Sequence, residues 1–325
     1  MPRPHIQGAE TPLVISASRA TDIPAFHGAW FMGRLKAGFC RRKNPFNAVQ
    51  ESLISFEKTR VFVFWSKNPA PFLPELDAIR DAGFSFYFQF TLNDYEKEGL
   101  EMRLPSLGAR IDTFKRLADT LGPQRVVWRF DPFILGGGLS VEGLLERVNR
   151  LGRELSPFTD KLVFSFLDMY QKTARALRKI NAGFRAPSEE EMHRLAQGLA
   201  EVNRSWPQPL ALASCAEPVN LCAYGIEKNA CIDARLIARL CPDDEDMQKA
   251  LHPTGRRLSL LPAAQKPPRD AGQRRACGCF PSKDIGAYNT CPHLCAYCYA
   301  NLSETLVKKN MALCRLMPEA RESLL

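Results

Sequence analysis

The stretch Val61-Phe62-Val63-Phe64-Trp65-Ser66-Lys67-Asn68-Pro69 decides the fold class. Five apolar residues in a row are typical of a strand that is buried on both faces, and such strands belong to parallel sheets covered by helices. The polar residues that follow mark the end of the strand, and a helical pattern at 71–82 comes next. A strand, a polar turn and a helix in this order predict one unit of an α/β protein.

The same pattern recurs along residues 13–214. We therefore predict a parallel (β/α) barrel of TIM type, partial or complete, with a doubly wound open sheet as the competing architecture. No G-x-G-x-x-G follows the first strand, so a dinucleotide site of that kind lacks support. The predicted strands are 13–17, 61–65, 84–91, 125–129, 161–167 and 209–214, and the predicted helices are 71–82, 107–121, 141–155 and 188–203.

The chain divides into three predicted segments. A barrel domain at 1–240 is followed by a proline-rich connecting segment at 241–275, with a short helix at 246–251. A cysteine-rich segment at 276–325 is expected to pack on the barrel rim and complete the same domain.

The composition of the chain limits where the protein can be located and which partners it can bind. The N-terminus lacks the apolar core of a signal peptide, and no apolar run reaches the ~18 residues of a membrane span. With eleven cysteines and no export signal, we expect a cytoplasmic protein with no membrane contact. The net charge of +9 permits a polyanionic partner such as nucleic acid without establishing one.

Charged and amide residues follow every predicted strand. The C-terminal ends of parallel barrel strands share one rim, where substrates bind. One such residue alone is most simply a turn or cap residue, but six strand ends together favour a polar pocket. Lys67 and Arg129 could anchor a carboxylate or phosphate, and Asp131 either binds substrate or pairs with Arg129. The predicted catalytic and substrate-binding residues are Arg19, Asp22, Lys67, Asn68, Arg129, Asp131, Asp168 and Glu217.

Three cysteines, Cys291, Cys295 and Cys298, form a C-x3-C-x2-C motif. Three thiolates at this spacing can each bind one iron of a cubane cluster, which leaves the fourth iron open to a small molecule. Zinc is the alternative, because His293 lies inside the motif and a four-ligand site could include it. Disulfides are disfavoured, because nothing indicates an oxidising compartment.

Four further cysteines accompany polar loop residues: Cys215, Cys231, Cys277 and Cys279. Together they could complete a second iron–sulfur cluster or a structural metal site such as zinc. Alternatively, one of them is the fourth ligand of the first cluster and closes it.

The chain resembles the family called domain of unknown function 1848, in the stretches at 16–22 (SASRATD), 64–69 (FWSKNP) and 128–132 (WRFDP) and in the C-terminal cysteine block. The cysteine cluster of that family is similar to the one in radical S-adenosylmethionine (SAM) enzymes. The resemblance therefore implies a [4Fe–4S] cluster on Cys291, Cys295 and Cys298, with SAM bound at the open iron. It also implies reductive cleavage of SAM to a 5′-deoxyadenosyl radical and an electron donor such as a ferredoxin or flavodoxin. The implied cofactor-binding residues are Tyr297, Tyr299 and Asn301, one tyrosine shielding the adenine.

The segment 288–300 is also locally similar to spore photoproduct lyase-like proteins. In radical SAM enzymes the cysteine loop follows the first barrel strand, whereas here it follows the last, an order that a permuted barrel accommodates. The Gly-Gly-Glu stretch that often binds the SAM amino group is missing.

Three hypotheses for the function result. The leading one is a radical-SAM-type enzyme with a small-molecule or polyanionic substrate. The second is a non-catalytic protein stapled by metal, or a redox sensor, with an iron–sulfur or zinc centre. The third is a radical enzyme of nucleic-acid repair or modification.

Overall fold

The computed structural model describes residues 4–44, 47–180, 183–253 and 267–325. Ten strands are found there. They are β1 (Val14–Ser16), β2 (Phe39–Asn44), β3 (Asn47–Ser55), β4 (Val61–Ser66), β5 (Ser85–Thr91), β6 (Val126–Phe133), β7 (Lys161–Phe166), β8 (Ala211–Ser214), β9 (Glu227–Lys228) and β10 (Lys283–Asp284). Eight of them form one parallel sheet in the order β10-β1-β4-β5-β6-β7-β8-β9, while β2 and β3 form an antiparallel hairpin.

Helices alternate with the strands of the large sheet. They are α1 (Ile23–Phe26), α2 (Gly28–Ala37), α3 (Leu76–Asp81), α4 (Leu107–Leu121), α5 (Val141–Leu155), α6 (Gln171–Ile180), α7 (Glu189–Asn203), α8 (Ala234–Leu240), α9 (Glu245–Leu251) and α10 (Glu304–Cys314). The hydroxyls of Ser106, Ser140 and Ser188 cap α4, α5 and α7. None of these described helices is long and apolar enough to cross a membrane.

The predicted α/β class is confirmed, and all six predicted strands are present as β1 and β4 to β8. Helices α4 and α5 match the predicted ranges, and the helix predicted at 246–251 is α9. The sequence did not reveal the β2–β3 hairpin, α1, α2 or the two edge strands. In the described part of the chain, edge strands β9 and β10 do not pair, so no β-ladder closes the sheet into a ring. Residues 254–266 of the predicted connecting segment lie outside the described residues.

Both faces of the sheet are covered, which explains the unbroken apolar run in β4. Phe62 and Phe64 point to the main core, where each packs edge-on against Phe31 of α2. Val61 and Val63 point to the other face and pack in a second apolar cluster that includes residues of α8 and α9. Alternate side chains of one strand thus enter two cores.

The C-terminal segment joins the sheet directly. Strand β10 pairs in parallel with β1, with Ile15 opposite Lys283 and Ser16 opposite Asp284. The Asp284 carboxylate accepts hydrogen bonds from the Ser18 hydroxyl at 2.7 Å and from the Arg19 backbone N–H at 2.8 Å. The segment after β10 therefore starts beside the polar turn that follows β1.

Candidate functional site

A cavity of about 590 Å³ lies at the carboxyl ends of the parallel strands. It is lined by polar residues that follow β1, β4, β7 and β8 and by Arg129 and Asp131 of β6. Of the predicted pocket residues, it is lined by Arg19, Asp22, Lys67, Arg129, Asp131, Asp168 and Glu217. All seven candidate metal-binding cysteines line it too: Cys215, Cys231, Cys277, Cys279, Cys291, Cys295 and Cys298. A second cavity of about 600 Å³, between α1, α2 and α3, includes none of the cysteines in its lining.

The cysteine loop at 291–298 is held by hydrogen bonds at both ends. The buried His27 donates from Nε2 to the Thr290 carbonyl at 3.0 Å, just before the loop. The Asn301 amide donates to the Cys291 carbonyl at 2.8 Å. Asn301 is thus a residue that fixes the loop conformation, and its predicted cofactor contact stays a prediction.

Asp22 fastens the middle of the loop to the sheet. Its Oδ2 lies 2.9 Å from His293 Nε2 and accepts the Lys67 backbone N–H at 2.8 Å. Its Oδ1 accepts the Ser66 hydroxyl at 2.8 Å and caps α1. Burial alone would raise the pKa of Asp22, but the hydrogen bond and charge of His293, together with the other donors, outweigh it and lower the pKa. The other imidazole nitrogen, His293 Nδ1, is buried and has no hydrogen-bond partner among the described residues.

Lys67 lies in a buried network beside the loop. Its Nζ is 2.7 Å from Glu101 Oε1 and 2.8 Å from the Tyr297 hydroxyl, which also donates to Glu101. Asn93 donates to the same carboxylate oxygen at 3.1 Å. Burial alone would lower the pKa of Lys67, but the Glu101 carboxylate outweighs it and raises that pKa. The predicted anion anchor is therefore ion-paired inside the protein, and Tyr297 is tied to the same pair.

Arg129 is paired as well. Its guanidinium lies 2.5 Å from Asp131 Oδ2 and donates to Gln89 Oε1 at 3.1 Å. Burial alone would raise the pKa of Asp131, but the charge of Arg129 and the Ser165 hydroxyl lower it. The structural ion pair, one of two readings of this sequence, is the arrangement found. Arg129 also donates to the Cys231 thiol at 3.0 Å.

Asp168 and Glu217 lie at the ends of β7 and β8. Asp168 forms an ion pair of 2.8 Å with Arg274, and both of these side chains are half exposed. Glu217 accepts the backbone N–H of Phe166 at 2.9 Å. Burial, aided by the negative charges of Asp168 and Asp131, raises the pKa of Glu217 to about 7, although the hydrogen bond from Phe166 and the charge of Arg274 oppose this shift.

Arg19 is a cation of the cavity with hydrogen-bonding capacity left over. Its guanidinium lies over the Trp65 ring, 5.0 Å from the centroid. Its backbone carbonyl accepts the Tyr299 hydroxyl at 2.7 Å. Among the described residues, its Nη2 atom is buried without a hydrogen-bond partner. A ligand oxygen could satisfy this atom.

One predicted residue lies outside the cavity lining, and several unpredicted residues take part in the arrangement. Asn68 does not line the cavity and bonds locally, its backbone N–H to the Ser66 hydroxyl at 3.0 Å. The residues that sequence reasoning missed are His27, Glu101 and Asp284. No strand, helix or motif marks Glu101. The pairing of β10 with β1, which places Asp284, could not be inferred from a two-residue strand.

The thiols of the cysteine loop are chemically suited to bind a metal centre. Three soft thiol donors of one loop line the cavity, and thiolates prefer zinc and iron–sulfur clusters. The backbone N–H of Ala300 points at Cys298 Sγ from 3.3 Å, a contact that also stabilises metal thiolates. No group of three or more Cys, His, Asp or Glu side chains is already arranged around a metal position within the described ranges.

Fold and site together define an α/β protein with a parallel sheet and a cysteine-lined cavity at its carboxyl edge. The model of the family called domain of unknown function (DUF1848) matches residues 14–300. The chain belongs to this family, as the resemblance in sequence predicted. Comparison with curated proteins and comparison with solved structures gave no match.

Proposed function

We propose that this protein is a radical-SAM-type iron–sulfur enzyme. Cys291, Cys295 and Cys298 would hold a [4Fe–4S] cluster whose fourth iron is open toward the cavity. One observation carries the proposal: the three thiols of the motif line the same cavity as polar residues of β6 and those that follow β1, β4, β7 and β8. When bound, the cluster would supply the electron for reductive cleavage of SAM. A ferredoxin or flavodoxin is the class of donor that would return an electron to the cluster.

The residues of this chain have separate tasks in the proposal. Asp22 and Asn301 hold the cysteine loop, and the Lys67–Glu101 pair holds Tyr297 beside Cys295. Arg19, with its unpartnered Nη2, binds a carboxylate of SAM or an anionic group of the substrate.

The architecture supports the same reading. The parallel sheet with its helices supports an incomplete TIM-like barrel, whose carboxyl rim carries the site. All eleven cysteines are free, which supports a reducing compartment such as the cytoplasm.

The mouth of the cavity supports a substrate with a ring and negative charge. Tyr170 and Tyr299 both line the cavity and are 48% and 52% exposed. Each is accompanied by a cation: Arg274 donates to the Tyr170 hydroxyl at 2.7 Å, and Lys172 donates to the Tyr299 carbonyl at 3.0 Å. Exposed aromatic faces beside cations suit nucleobases and phosphates. A nucleotide or nucleic-acid substrate is thus the first class to screen.

The test is anaerobic reconstitution with iron and sulfide, followed by iron analysis and EPR of the reduced protein with and without SAM. We expect a [4Fe–4S] signal that changes when SAM is added, and release of 5′-deoxyadenosine under reduction. The chain with Cys291, Cys295 and Cys298 all changed to alanine should lose both. Cys222→Ala is the matched control, because this thiol is exposed and does not line the cavity. A wild-type cluster that does not respond to SAM would refute the enzyme proposal.

A second candidate is a closed zinc site of three cysteines and one histidine, without catalysis. The observation that favours it is the pair of Asp22 and His293, because metal-bound histidines commonly donate their second nitrogen to a carboxylate. The unpartnered Nδ1 of His293 would then be the metal ligand. One variant distinguishes the two candidates. If the loop binds an open iron–sulfur cluster, His293→Gln should keep it, whereas if the loop binds zinc through four residues, His293→Gln should lose the zinc ion.

A further inference from the structure

Four cysteines from three separate parts of the chain meet in the cavity wall. Cys215 follows β8, Cys231 follows β9, and Cys277 and Cys279 precede β10. The thiols of Cys215 and Cys231 are 3.4 Å apart. The thiols of Cys231 and Cys277 are close enough to Cys279 to shift the pKa of its thiol. The four cysteines are thus neighbours in the order Cys215, Cys231, Cys279 and Cys277.

We propose that Cys215, Cys231, Cys277 and Cys279 bind one divalent metal ion of the zinc type as a tetrathiolate site. Zinc–sulfur bonds of about 2.3 Å place two sulfur atoms of a tetrahedron roughly 3.8 Å apart. The separation of 3.4 Å between Cys215 and Cys231 is close to this value. Each cysteine of a cubane cluster binds a different iron atom, which keeps the thiolates much further apart. The packing therefore fits a single ion better than a second cluster.

Hydrogen-bond donors already surround two of the sulfur atoms. Cys279 Sγ accepts the backbone N–H groups of Cys231 at 3.2 Å and Ile232 at 3.4 Å. Cys231 Sγ accepts the Asn229 amide at 3.2 Å and the Arg129 guanidinium at 3.0 Å. Such donors stabilise the negative charge of metal-bound thiolates and orient them.

The charge of the occupied site is also compensated. Binding of one Zn²⁺ by four thiols releases four protons to solvent and forms four metal–sulfur bonds, which leaves a doubly negative centre. Arg129 contacts Cys231 directly, and the charge of Arg19 acts on Cys231 and Cys279. The buried guanidinium of Arg129 and the half-buried one of Arg19 therefore offset the two negative charges. No oxidant or reductant is needed, because neither zinc nor the thiolates change oxidation state.

The position of the site indicates what a metal ion bound there would do for the structure. Cys231 follows one edge strand of the sheet and Cys279 precedes the other edge strand. Backbone bonds already connect these segments, from Phe280 N to the Ile232 carbonyl at 2.9 Å and from Gly278 N to the Asn229 carbonyl at 3.4 Å. A metal ion here joins the two edges that no β-ladder connects, and so closes this side of the cavity.

The test uses the full chain with Cys291, Cys295 and Cys298 changed to alanine, so that only the second set of thiols can bind. Anaerobic titration with Co²⁺ should show one bound equivalent with the absorption of tetrahedral thiolate-bound cobalt, and Zn²⁺ should displace it. Adding Cys231→Ser and Cys279→Ser should weaken cobalt binding about 100-fold or more, because two of the four ligands are lost. Cys314→Ser is the matched control: this thiol is also buried but bonds to the Leu324 carbonyl.

Three results would overturn the site. They are the absence of cobalt binding in the chain without the loop thiols, an unchanged thiolate spectrum after Cys231→Ser and Cys279→Ser, and a Cys215–Cys231 disulfide in protein purified without oxidant. If the double serine variant does not fold, Asn229→Ala replaces it. This variant should raise the Kd for Co²⁺ about 10-fold through the lost bond to Cys231, and an unchanged Kd would count against the site. Because the loop thiols are absent, these results do not depend on whether SAM chemistry occurs.

Discussion

Asp22 Oδ2 lies 2.9 Å from His293 Nε2 and joins two residues that are 271 positions apart in the chain. Asp22 follows β1, while His293 sits in the cysteine loop between Cys291 and Cys295. Through this contact the sheet orients the loop.

We therefore expect Asp22→Asn to weaken metal retention. The amide has the size of the carboxylate but lacks its charge, so the imidazole loses its charged partner. The rate of iron loss to a chelator after reconstitution should rise about 10-fold, the usual effect of removing a partner of a metal-binding loop. Asp77→Asn is the control, because Asp77 is 77% exposed and its ion pair is with Arg80 of the same helix. Equal retention in both variants would show that the Asp22–His293 contact does not support the metal.

Lys67→Met tests whether Lys67 is structural. Glu101 is fully buried, and Lys67 is its closest cation at 2.7 Å. Without Lys67, the nearest cation to the Glu101 carboxylate is the Arg110 guanidinium, at the longer distance of 3.5 Å. We therefore expect a loss of about 3 kcal/mol in the free energy of unfolding, the lower end for breaking a buried pair. Urea unfolding measures it.

Two further variants sharpen this test. Adding Glu101→Gln to Lys67→Met should recover part of the stability, because the uncompensated charge is removed. Lys249→Met, in a pair whose side chains are 73% and 84% exposed, should change stability by less than about 0.5 kcal/mol. If Lys67→Met keeps full stability and loses only ligand affinity, Lys67 is the anion anchor that the sequence suggested.

Gly286 shows how closely the turn after β10 approaches the turn after β1. A Cβ atom at Gly286 would lie 1.9 Å from the Ser18 hydroxyl and 2.5 Å from its Cβ. We expect Gly286→Ala to destabilise the protein by about 1–3 kcal/mol, as overpacked sites do, and to lower the iron content by displacing the cysteine loop. Gly108→Ala is the matched control, because nothing lies within 4 Å of its added Cβ and it is in helix α4. That change should stabilise the protein by up to about 1 kcal/mol.

The sequence predicted what depends on local patterns. The apolar run of β4 and the helical patterns of α4, α5 and α7 act over a few residues, and these elements are found near the predicted positions. The rim residues were predicted to lie together because parallel strands end on one edge.

The partners of those residues depend on contacts distant in sequence. Lys67 meets Glu101, which lies in an irregular stretch between β5 and α4, and Arg129 meets Cys231 across 102 positions. No single pattern encodes such pairs. Of the eight predicted pocket residues, seven line the cavity and Asn68 does not, and their role in catalysis or binding stays a prediction. The internal pairing of Lys67 and Arg129 had to come from the structure.

The last prediction separates the two groups of cysteines. Cys295→Ala removes one thiol of the loop, so the reconstituted protein should lose the iron and sulfide of the loop centre and keep about one equivalent of zinc. Cys277→Ala should do the opposite, because Cys277 contacts Cys279 and belongs to the second group. Iron, sulfide and zinc analysis of both variants, beside wild type, measures this. If each variant loses all metal, the seven thiols serve one shared centre, and the assignment of two separate sites is wrong.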